Sequence, residues 1–278
     1  MPELPEVETV RRVLHDSLLN KRISNIDILY SPIIENDDSN FKENIIGKEI
    51  IDIKRYGKYL IFCLNKGYIL SHLRMEGKYY YLNEKLENLA HIHVIYHFSD
   101  GTYLYYKDVR KFGRMEYIED DIYHSKSLSK MGPDLILSDI DINSIYQKIH
   151  KSDKEIKSLL LDQTIVAGLG NIYVDEVLFK AKISPLKKGK GITRKNTSQL
   201  ILASKEILSN AIIHKGTTIK SYTSSLGVEG NYQNFLQVHT KNICPNCKIA
   251  LNRVKIKGRM TYYCKECQRW GKWRRSLA

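Results

Sequence analysis

The chain has 278 residues, is 42% hydrophobic and 27% charged, and carries a formal net charge of +13. This composition is that of a soluble globular protein with room for one large domain, or for two ordinary domains and a small module. No apolar run is long enough to span a membrane and the N-terminus does not resemble a signal peptide, so we expect a cytoplasmic protein without membrane contact.

The first six residues place a proline directly after Met1. If Met1 is removed, Pro2 becomes a secondary amine that can attack an electrophilic carbon and form an iminium, and Glu3 can move a proton beside it. A second proline and further glutamates are typical of a first helical turn, and apolar residues then recur at helical spacing as far as Leu18. The same residues also describe an ordinary capped helix start, so this segment alone leaves both interpretations open.

Short apolar runs separated by turn signals follow the helix and predict strands. They are residues 22–29, 49–55, 59–64, 68–73, 78–82, 92–98, 102–107 and 114–118. Strands at this spacing are typical of a β-sandwich or barrel. Cys63 lies alone in the third run and is most simply a core residue.

The pattern changes near Gly132, where helical periodicity replaces the strand signals. Helices are predicted at residues 141–150, 153–162, 171–180 and 197–214. The glycine-containing turn 166–170 separates the second of them from the third, and residues 216–238 are typical of a loop.

Four cysteines near the C-terminus form two C-x-x-C pairs with 16 residues between them, namely Cys244, Cys247, Cys264 and Cys267. Two such pairs bring four thiolates onto one tetrahedral zinc ion, and the residues between them form a β-hairpin. Four protein ligands close the coordination shell, so we expect one structural Zn²⁺ and no catalytic cofactor. Gly258 permits a tight turn with Arg259 near its tip, where the arginine either contacts phosphate or is an exposed side chain without a role.

Residues 241–278 contain eleven lysines or arginines against one acidic residue. A segment with this large an excess of positive charge attracts polyanions, and nucleic acid is the leading candidate. The alternative is a solvated basic tail, but such a tail would lack the cysteines and aromatic residues found here.

Taken together, these features resemble bacterial formamidopyrimidine-DNA glycosylases, a family of repair enzymes that remove oxidised purines. The resemblance covers nearly the whole chain and depends on the joint order of several segments. These are residues 2–9, 57–60, 72–77, 91–94, 108–113, 163–179 and 216–218, followed by the zinc module.

The resemblance implies an α+β multidomain protein. We expect an N-terminal two-layer β-sandwich with flanking helices over residues 2–132, a helical helix–two-turn–helix domain over 133–238, and a zinc-finger β-hairpin over 239–278. A loop at about 217–232 is expected to close over the flipped base. The implied partner is double-stranded DNA containing an oxidised base, bound by a monomer.

The resemblance also assigns catalytic roles. Pro2 attacks C1′ of the damaged nucleotide, and Glu3 protonates the sugar ring oxygen. Lys58 matches the residue that contacts phosphate and transfers a proton in β-elimination. Arg259 matches the arginine linked to δ-elimination and phosphate binding.

Chemistry on a base requires taking the base out of the stack, and protein side chains then fill the gap. Met75, Arg110 and Phe112 match the family's void-filling residues, with Phe112 as the wedge and Arg110 bonded to the orphaned cytosine. Taken in isolation, Met75 and Phe112 would be interpreted as core residues and Arg110 as a surface charge. The family commonly has Asp-Pro-Arg before the wedge, where this chain has Asp108-Val109-Arg110, so we expect a less rigid loop.

Further DNA contacts follow from the same match. Asn171 and Lys157 correspond to positions that contact phosphate or lesion, and His91 to a DNA-contacting position. Lys151 and Lys154 are expected to add to the same basic face.

Two other functions stay open. A sister enzyme, endonuclease VIII, acts on oxidised pyrimidines, but it typically has glycine where this chain has Leu4. A non-catalytic zinc-module protein that binds damaged DNA would share the basic C-terminus, yet it would have no reason to keep Pro2 next to Glu3.

Overall fold

A computed structural model describes residues 1–217 and 230–268. The chain divides into two compact units, one made of Met1–Lys130 with Ala211–Gln233 and the other of Met131–Asn210 with Asn234–Ala278. The three-domain division expected from the sequence stays a prediction. Within the described ranges, none of the helices combines the length and apolar character needed to cross a bilayer.

The first unit begins with helix α1 (Leu4–Leu18). Glu3 is its N-cap residue, and the Glu3 and Glu6 side chains form a reciprocal capping box that satisfies backbone N–H groups of the first turn. The apolar residues at helical spacing lie on the buried face and pack into the core of the unit. This helix therefore anchors the N-terminal residues to the core of the first unit.

All the predicted strands form in the first unit, in two four-stranded antiparallel sheets. One sheet has the order β1 (Ile23–Ile28), β6 (Ile92–Phe98), β7 (Tyr103–Lys107), β5 (Lys78–Leu82). The other has the order β2 (Ile50–Tyr56), β3 (Tyr59–Leu64), β4 (Tyr68–His72), β8 (Arg114–Ile118). Buried side chains of both sheets belong to one apolar cluster, which confirms the two-layer β-sandwich.

One helix of the first unit was not foreseen. Helix α2 (Asp38–Ile45) is short and mostly polar, and only Phe41 and Ile45 are buried, so its periodicity is too brief to recognise in sequence. Asp37 caps it by accepting hydrogen bonds from two backbone N–H groups.

The described part of the second unit consists of helices and a β-hairpin. It contains α3 (Ile142–His150), α4 (Ile156–Leu160), α5 (Asn171–Lys180), most of α6 (Arg194–Ile213), and the hairpin of β9 (Asn252–Ile256) and β10 (Arg259–Tyr263). Helix α5 has the predicted bounds, but α4 is shorter than predicted. Glu155 has an extended backbone and pairs with Lys188 in an isolated antiparallel bridge, so the helix begins only at Ile156.

A buried charge network joins α1 to the β2–β3 hairpin. The Glu8 carboxylate accepts from Arg55 Nε at 3.2 Å and from Arg11 Nε at 3.1 Å, and Arg55 Nη1 donates to Gly57 O at 2.9 Å. Burial raises the pKa of Glu8, but the arginine hydrogen bonds and charges outweigh it, and the pKa is lowered from its usual value. The network therefore ties the first helix to the turn at residues 57–58.

Removing the buried arginine should cost more stability than removing an exposed one from the same network. We expect Arg55→Met to lower the free energy of unfolding by about 2 kcal/mol, because the buried Glu8 carboxylate and the Gly57 carbonyl oxygen both lose their hydrogen bond from Arg55. Arg12, which also contacts Glu8 but is 57% exposed in its side chain, supplies the matched control. Arg12→Met should change stability by less than about 0.5 kcal/mol. Urea unfolding of the two variants measures this, and equal losses would contradict it.

Candidate functional site

Pro2 and Glu3 are both buried at the start of α1, whereas Met1 is exposed. The backbone N–H of Glu3 donates to Glu6 Oε2 at 2.8 Å, which holds this residue directly against the first helical turn. Removing the exposed methionine would uncover the Pro2 nitrogen beside a buried carboxyl group. The predicted nucleophile and its predicted acid are therefore neighbours on one fixed segment.

The Glu6 carboxylate also binds a second segment through its other oxygen. Glu6 Oε1 accepts from Thr217 N at 2.7 Å and from Thr217 Oγ1 at 3.1 Å. Gly216 has a φ of +76°, and a Cβ on it would lie 2.6 Å from Glu6 Oε1, so only glycine allows this approach. Tyr232 N donates to Gly216 O at 3.0 Å, so the two ends of the predicted base-capping loop are joined. Residues 218–229 of that loop lie outside the described residues.

Lys58 lies in the two-residue turn between β2 and β3 and is buried. Its ammonium charge acts on His72, whose pKa is lowered from 6.5 to about 3 by burial first, and then by the charges of Arg74 and Lys58. His72 Nδ1 accepts a hydrogen bond from Arg74 N at 2.9 Å, as a neutral imidazole does. The histidine therefore adds no positive charge next to the lysine at neutral pH.

The predicted void-filling side chains lie in turns rather than in the core. Phe112 is 46% exposed and Arg110 is exposed, with the guanidinium carbon 4.8 Å from the centre of the Phe112 ring. Met75 is half-buried in the turn after β4. The core interpretation of Phe112 is therefore wrong, and the structure brings Arg110 and Phe112 together as one exposed pair.

Backbone strain marks several of the predicted DNA-contacting turns. Arg74, His91, Lys111 and Lys257 all have φ between +45° and +63°, in the left-handed region that non-glycine residues rarely adopt. Each is a predicted DNA contact itself or lies within two residues of a predicted contact or catalytic residue. Such strain persists only where the surrounding structure fixes the backbone, so these four turns are each held in one conformation.

In the second unit, the turn before α5 is held by one side chain. Gln163 Oε1 accepts from Gly168 N at 3.0 Å, and Gln163 Nε2 donates to Leu169 O at 3.0 Å. Gly168 has a φ of +117°, and Gly170 is the N-cap of the helix that starts at Asn171. The positive end of the helix dipole is therefore at this turn, which suits an anion.

Lys157 is fully buried rather than exposed. Its Nζ lies 2.8 Å from Asp175 Oδ1 and donates to Met260 O at 3.2 Å. Asn171 Nδ2 donates to the same carbonyl at 3.1 Å. Lys157 and Asn171, both predicted contact residues, thus donate to the carbonyl of Met260. Met260 follows Arg259, which is the first residue of β10 beside the hairpin turn.

Lys151 and Lys154 are exposed, as a contribution to a basic face requires. His91 is exposed as well and directly precedes β6. The roles of these three residues stay predictions.

The connection into the cysteine module is fastened to α5 by two adjacent acids. The Glu176 carboxylate accepts from the backbone N–H groups of residues 237–239 at 2.8 to 3.0 Å. Asp175 Oδ2 lies 2.9 Å from His239 Nδ1 and accepts from Tyr262 N at 3.2 Å. The hairpin that carries Arg259 is thereby held to the helix after the glycine turn.

The four cysteines meet at one point. Their Sγ atoms lie within 4.8 Å of one another, with 3.7 Å between Cys244 and Cys267 and 3.4 Å between Cys247 and Cys264. Zinc–sulfur bonds of about 2.3 Å in a tetrahedron place sulfurs about 3.8 Å apart, so the side chains fit one zinc ion. The group is a structural zinc site that cross-links a module with few apolar residues of its own. Burial raises the pKa of the separate Cys63 thiol to about 11, as expected for an inert core residue.

Comparison with known proteins adds independent findings. Residues 1–115 match the formamidopyrimidine-DNA glycosylase N-terminal domain, and residues 131–223 match the formamidopyrimidine-DNA glycosylase H2TH domain. The formamidopyrimidine-DNA glycosylase of Streptococcus pneumoniae is 42% identical over 272 residues, which cover 97% of this chain and 99% of that protein.

The chain belongs to the formamidopyrimidine-DNA glycosylase family.

A further relative and two solved structures agree with this family assignment. The Ureaplasma parvum enzyme is 41% identical over 274 residues, covering 96% of this chain and 100% of that protein. The Lactococcus lactis enzyme has been solved as a mutant with DNA containing Fapy-dG, and also with DNA containing an abasic site. Each match has a TM-score of 0.90 and 41% identity, and covers 97% of this chain and 100% of that chain. The expected family fold, with β-sandwich, helix–two-turn–helix and zinc finger, is confirmed.

Sequence reasoning missed the acids that support these predicted residues. Glu6 has a visible signal, because an acid three residues after the N-cap is the spacing of a capping box, but its bond to Thr217 has none. Asp175 follows apolar residues of α5 and is adjacent to Glu176, a pattern that indicates buried partners without identifying Lys157.

The zinc site predicts a specific metal content. Purified protein should contain one zinc ion per chain, and Cys247→Ser should lose most of it because a tetrahedral shell with three thiolates binds more weakly. Cys63→Ser is the matched control and should keep the metal. Elemental analysis of the dialysed proteins measures this. Retention of zinc by the Cys247 variant, or loss from the Cys63 variant, would refute the assignment.

The lowered pKa of His72 predicts a pH-dependent stability. Between pH 6.5 and about 3, the unfolded chain binds a proton that the folded chain refuses, so this histidine lowers stability as the pH falls. From pH 7 to pH 5, the wild type should lose roughly 2 kcal/mol more than His72→Asn, whose amide oxygen can still accept from Arg74 N. Urea unfolding at both pH values tests this, with the exposed His124→Asn as control. Parallel losses in wild type and His72→Asn would contradict the prediction.

Proposed function

We propose that this protein is a base-excision repair enzyme that removes oxidised purines from double-stranded DNA and then cleaves the strand at the resulting site. One observation carries the proposal: the buried Pro2–Glu3 pair at the start of α1, behind an exposed Met1. Its support includes the Lactococcus lactis relative, solved on DNA containing Fapy-dG and on DNA containing an abasic site. The substrate class proposed here includes 8-oxoguanine and formamidopyrimidines.

In the first step, the Pro2 nitrogen attacks C1′ of the damaged nucleotide. The bond between C1′ and the base breaks, and the base leaves with the bonding electron pair and takes up a proton. Glu3 donates a proton to the sugar ring oxygen, the C1′–O bond opens, and an iminium joins Pro2 to C1′. The amine must be unprotonated and free of Met1 for this attack.

The iminium withdraws electrons and acidifies the C2′ proton. Loss of that proton forms a double bond as the C3′–O bond breaks, which is β-elimination, and a second elimination breaks the C5′–O bond. Lys58 is proposed to contact phosphate and transfer a proton in the first elimination. Arg259 is proposed to bind phosphate and support the second.

The remaining residues are proposed to hold DNA with the base extruded. Phe112 and Met75 fill the gap left in the stack, and Arg110 hydrogen-bonds the opposite base. For Lys157 the geometry favours an indirect contribution, because its buried ammonium holds the carbonyl after Arg259.

A DNA contact is proposed for His91 and a contact with phosphate or lesion for Asn171, and Lys151 and Lys154 are proposed to add to the same basic face. The setting proposed for this activity is the cytoplasm, on nucleoid DNA, since an all-thiolate zinc site suits a reducing compartment.

Borohydride trapping tests the covalent step. A duplex with 8-oxoguanine opposite cytosine should give a protein–DNA band with protein whose Met1 is shown absent by mass spectrometry. The band should vanish in Pro2→Gly and persist in Pro5→Gly, because a proline inside the chain has no free amine.

The outcomes separate the proposal from its alternatives. A much faster reaction with a thymine glycol duplex would indicate an enzyme for oxidised pyrimidines. Binding to the lesion duplex without any trapped band, with zinc present and Met1 absent, would indicate a non-catalytic damage-binding protein.

A further inference from the structure

The Asp108 side chain lies completely buried beneath the exposed Arg110–Phe112 pair. Its Oδ1 accepts from Arg110 N at 3.0 Å, and its Oδ2 accepts from Phe112 N at 2.9 Å and from Gly113 N at 2.8 Å. We propose that Asp108 is a positioning residue that sets the selectivity of the enzyme for the base opposite the lesion. This inference rests on the proposed function, because it concerns the side chains assigned there to the emptied stack.

Backbone and ring contacts complete the support for this turn. Lys111 N donates to Asp108 O at 3.2 Å and closes a turn, and His93 Nε2 lies 2.7 Å from the same carbonyl oxygen. Lys111 adopts a φ of +58°, and its Nζ lies 4.6 Å from the centre of the Tyr30 ring. The residue between Arg110 and Phe112 is thus fixed in a strained conformation by contacts on both sides.

The far end of the turn is equally constrained. Any Cβ on Gly113 would overlap the hydroxyl oxygen of Tyr106, so only glycine lets this backbone approach and bring its N–H to Asp108. The carboxylate therefore accepts from three amides across a six-residue segment. Charged acceptors make stronger and more directional hydrogen bonds than neutral ones, so this arrangement leaves the turn little freedom.

Val109 explains why the carboxylate matters in this chain. It is the second residue of the turn closed by Asp108 O and Lys111 N, a position that favours proline because a ring presets φ. Val109 is 53% exposed and has no ring to restrain its backbone. In this chain the three hydrogen bonds to Asp108 therefore restrain the turn without the additional restraint of a proline ring.

The Asp108→Asn variant breaks this arrangement with little change in size. An asparagine keeps one acceptor oxygen, but its NH₂ group then faces at least one backbone N–H that needs an acceptor. The turn should loosen, and Arg110 should hold the opposite base less selectively. Adding Val109→Pro in the same chain should restore part of the restraint through the backbone alone.

The experiment compares three substrates. Duplexes with 8-oxoguanine opposite cytosine and opposite adenine measure selectivity, and a single-stranded oligonucleotide with an abasic site measures chemistry at Pro2 where no opposite base exists. For Asp108→Asn we expect the cytosine duplex to lose about tenfold in kcat/KM, mostly through KM, and the cytosine-to-adenine preference to fall about fivefold. Single-strand cleavage should stay within about twofold of wild type.

Two further variants make the test decisive. Val109→Pro added to Asp108→Asn should recover at least half of the lost preference on a logarithmic scale. Asp37→Asn removes an aspartate that accepts from two backbone N–H groups at the start of α2, and it should leave the preference unchanged. Thermal unfolding of each variant identifies any general loss of structure.

Several results would overturn the inference. They are an equal loss on duplex and single-stranded substrates, an unchanged cytosine-to-adenine preference in Asp108→Asn, and a preference that Val109→Pro does not restore. Failure of the proposed function looks different, because the wild type itself would then give no borohydride-trapped band with the lesion duplex.

Discussion

One oxygen of the Glu6 carboxylate accepts from Glu3 N, and the other accepts from Thr217, which lies 211 residues after Glu6 in the chain. This interaction meets a constraint that any enzyme with a terminal nucleophile faces. The first residues of a domain are poorly ordered unless something ties them down, yet a nucleophile must be held still relative to the atom it attacks. Helix α1 supplies the anchor, and Glu6 connects it to the segment proposed to cover the substrate.

The same kind of interaction holds two other irregular segments of the described chain. Asp108 holds the Arg110–Phe112 turn, and Glu176 holds the connection into the zinc module. In each case a buried carboxylate accepts from two or more backbone N–H groups of a segment outside the regular helices and strands. Such bonds are strong and directional because the acceptor is charged and shielded from water. They specify the position of a backbone segment while its side chains stay available for function.

The fold was largely predictable because its signals are local. Strands β3, β5, β6 and β8 have the predicted bounds, since each is a short apolar run between clear turns. Helix α2 is not predicted because it buries only two side chains. Helix α4 is shorter than predicted because the sequence does not reveal the bridge between Glu155 and Lys188. Local periodicity reports on elements, whereas pairing between distant segments decides where an irregular segment ends.

The residues proposed to carry the chemistry could be picked out from the sequence, whereas the groups that support them could not. Cysteine spacing and the Pro2–Glu3 pair carry their chemistry in the sequence itself. The burial of Lys157 against Asp175 could not be foreseen, because a lysine on a short helix is normally read as exposed. The role of Asp108 was hidden for a similar reason, since its partners are backbone amides and any residue type has one.

The long sequence separation of the Glu6 contact also orders events during synthesis. Helix α1 and both sheets are complete in sequence by residue 118, but Thr217 leaves the ribosome almost a hundred residues later. A nascent chain that ends before Thr217 can form the capping box at Glu3, yet its Glu6 carboxylate lacks this distant partner. The proposed reactive N-terminus is therefore synthesised first, and its hydrogen bond to Thr217 forms only late in translation. Truncated chains that end before Thr217 have this N-terminus without that hydrogen bond.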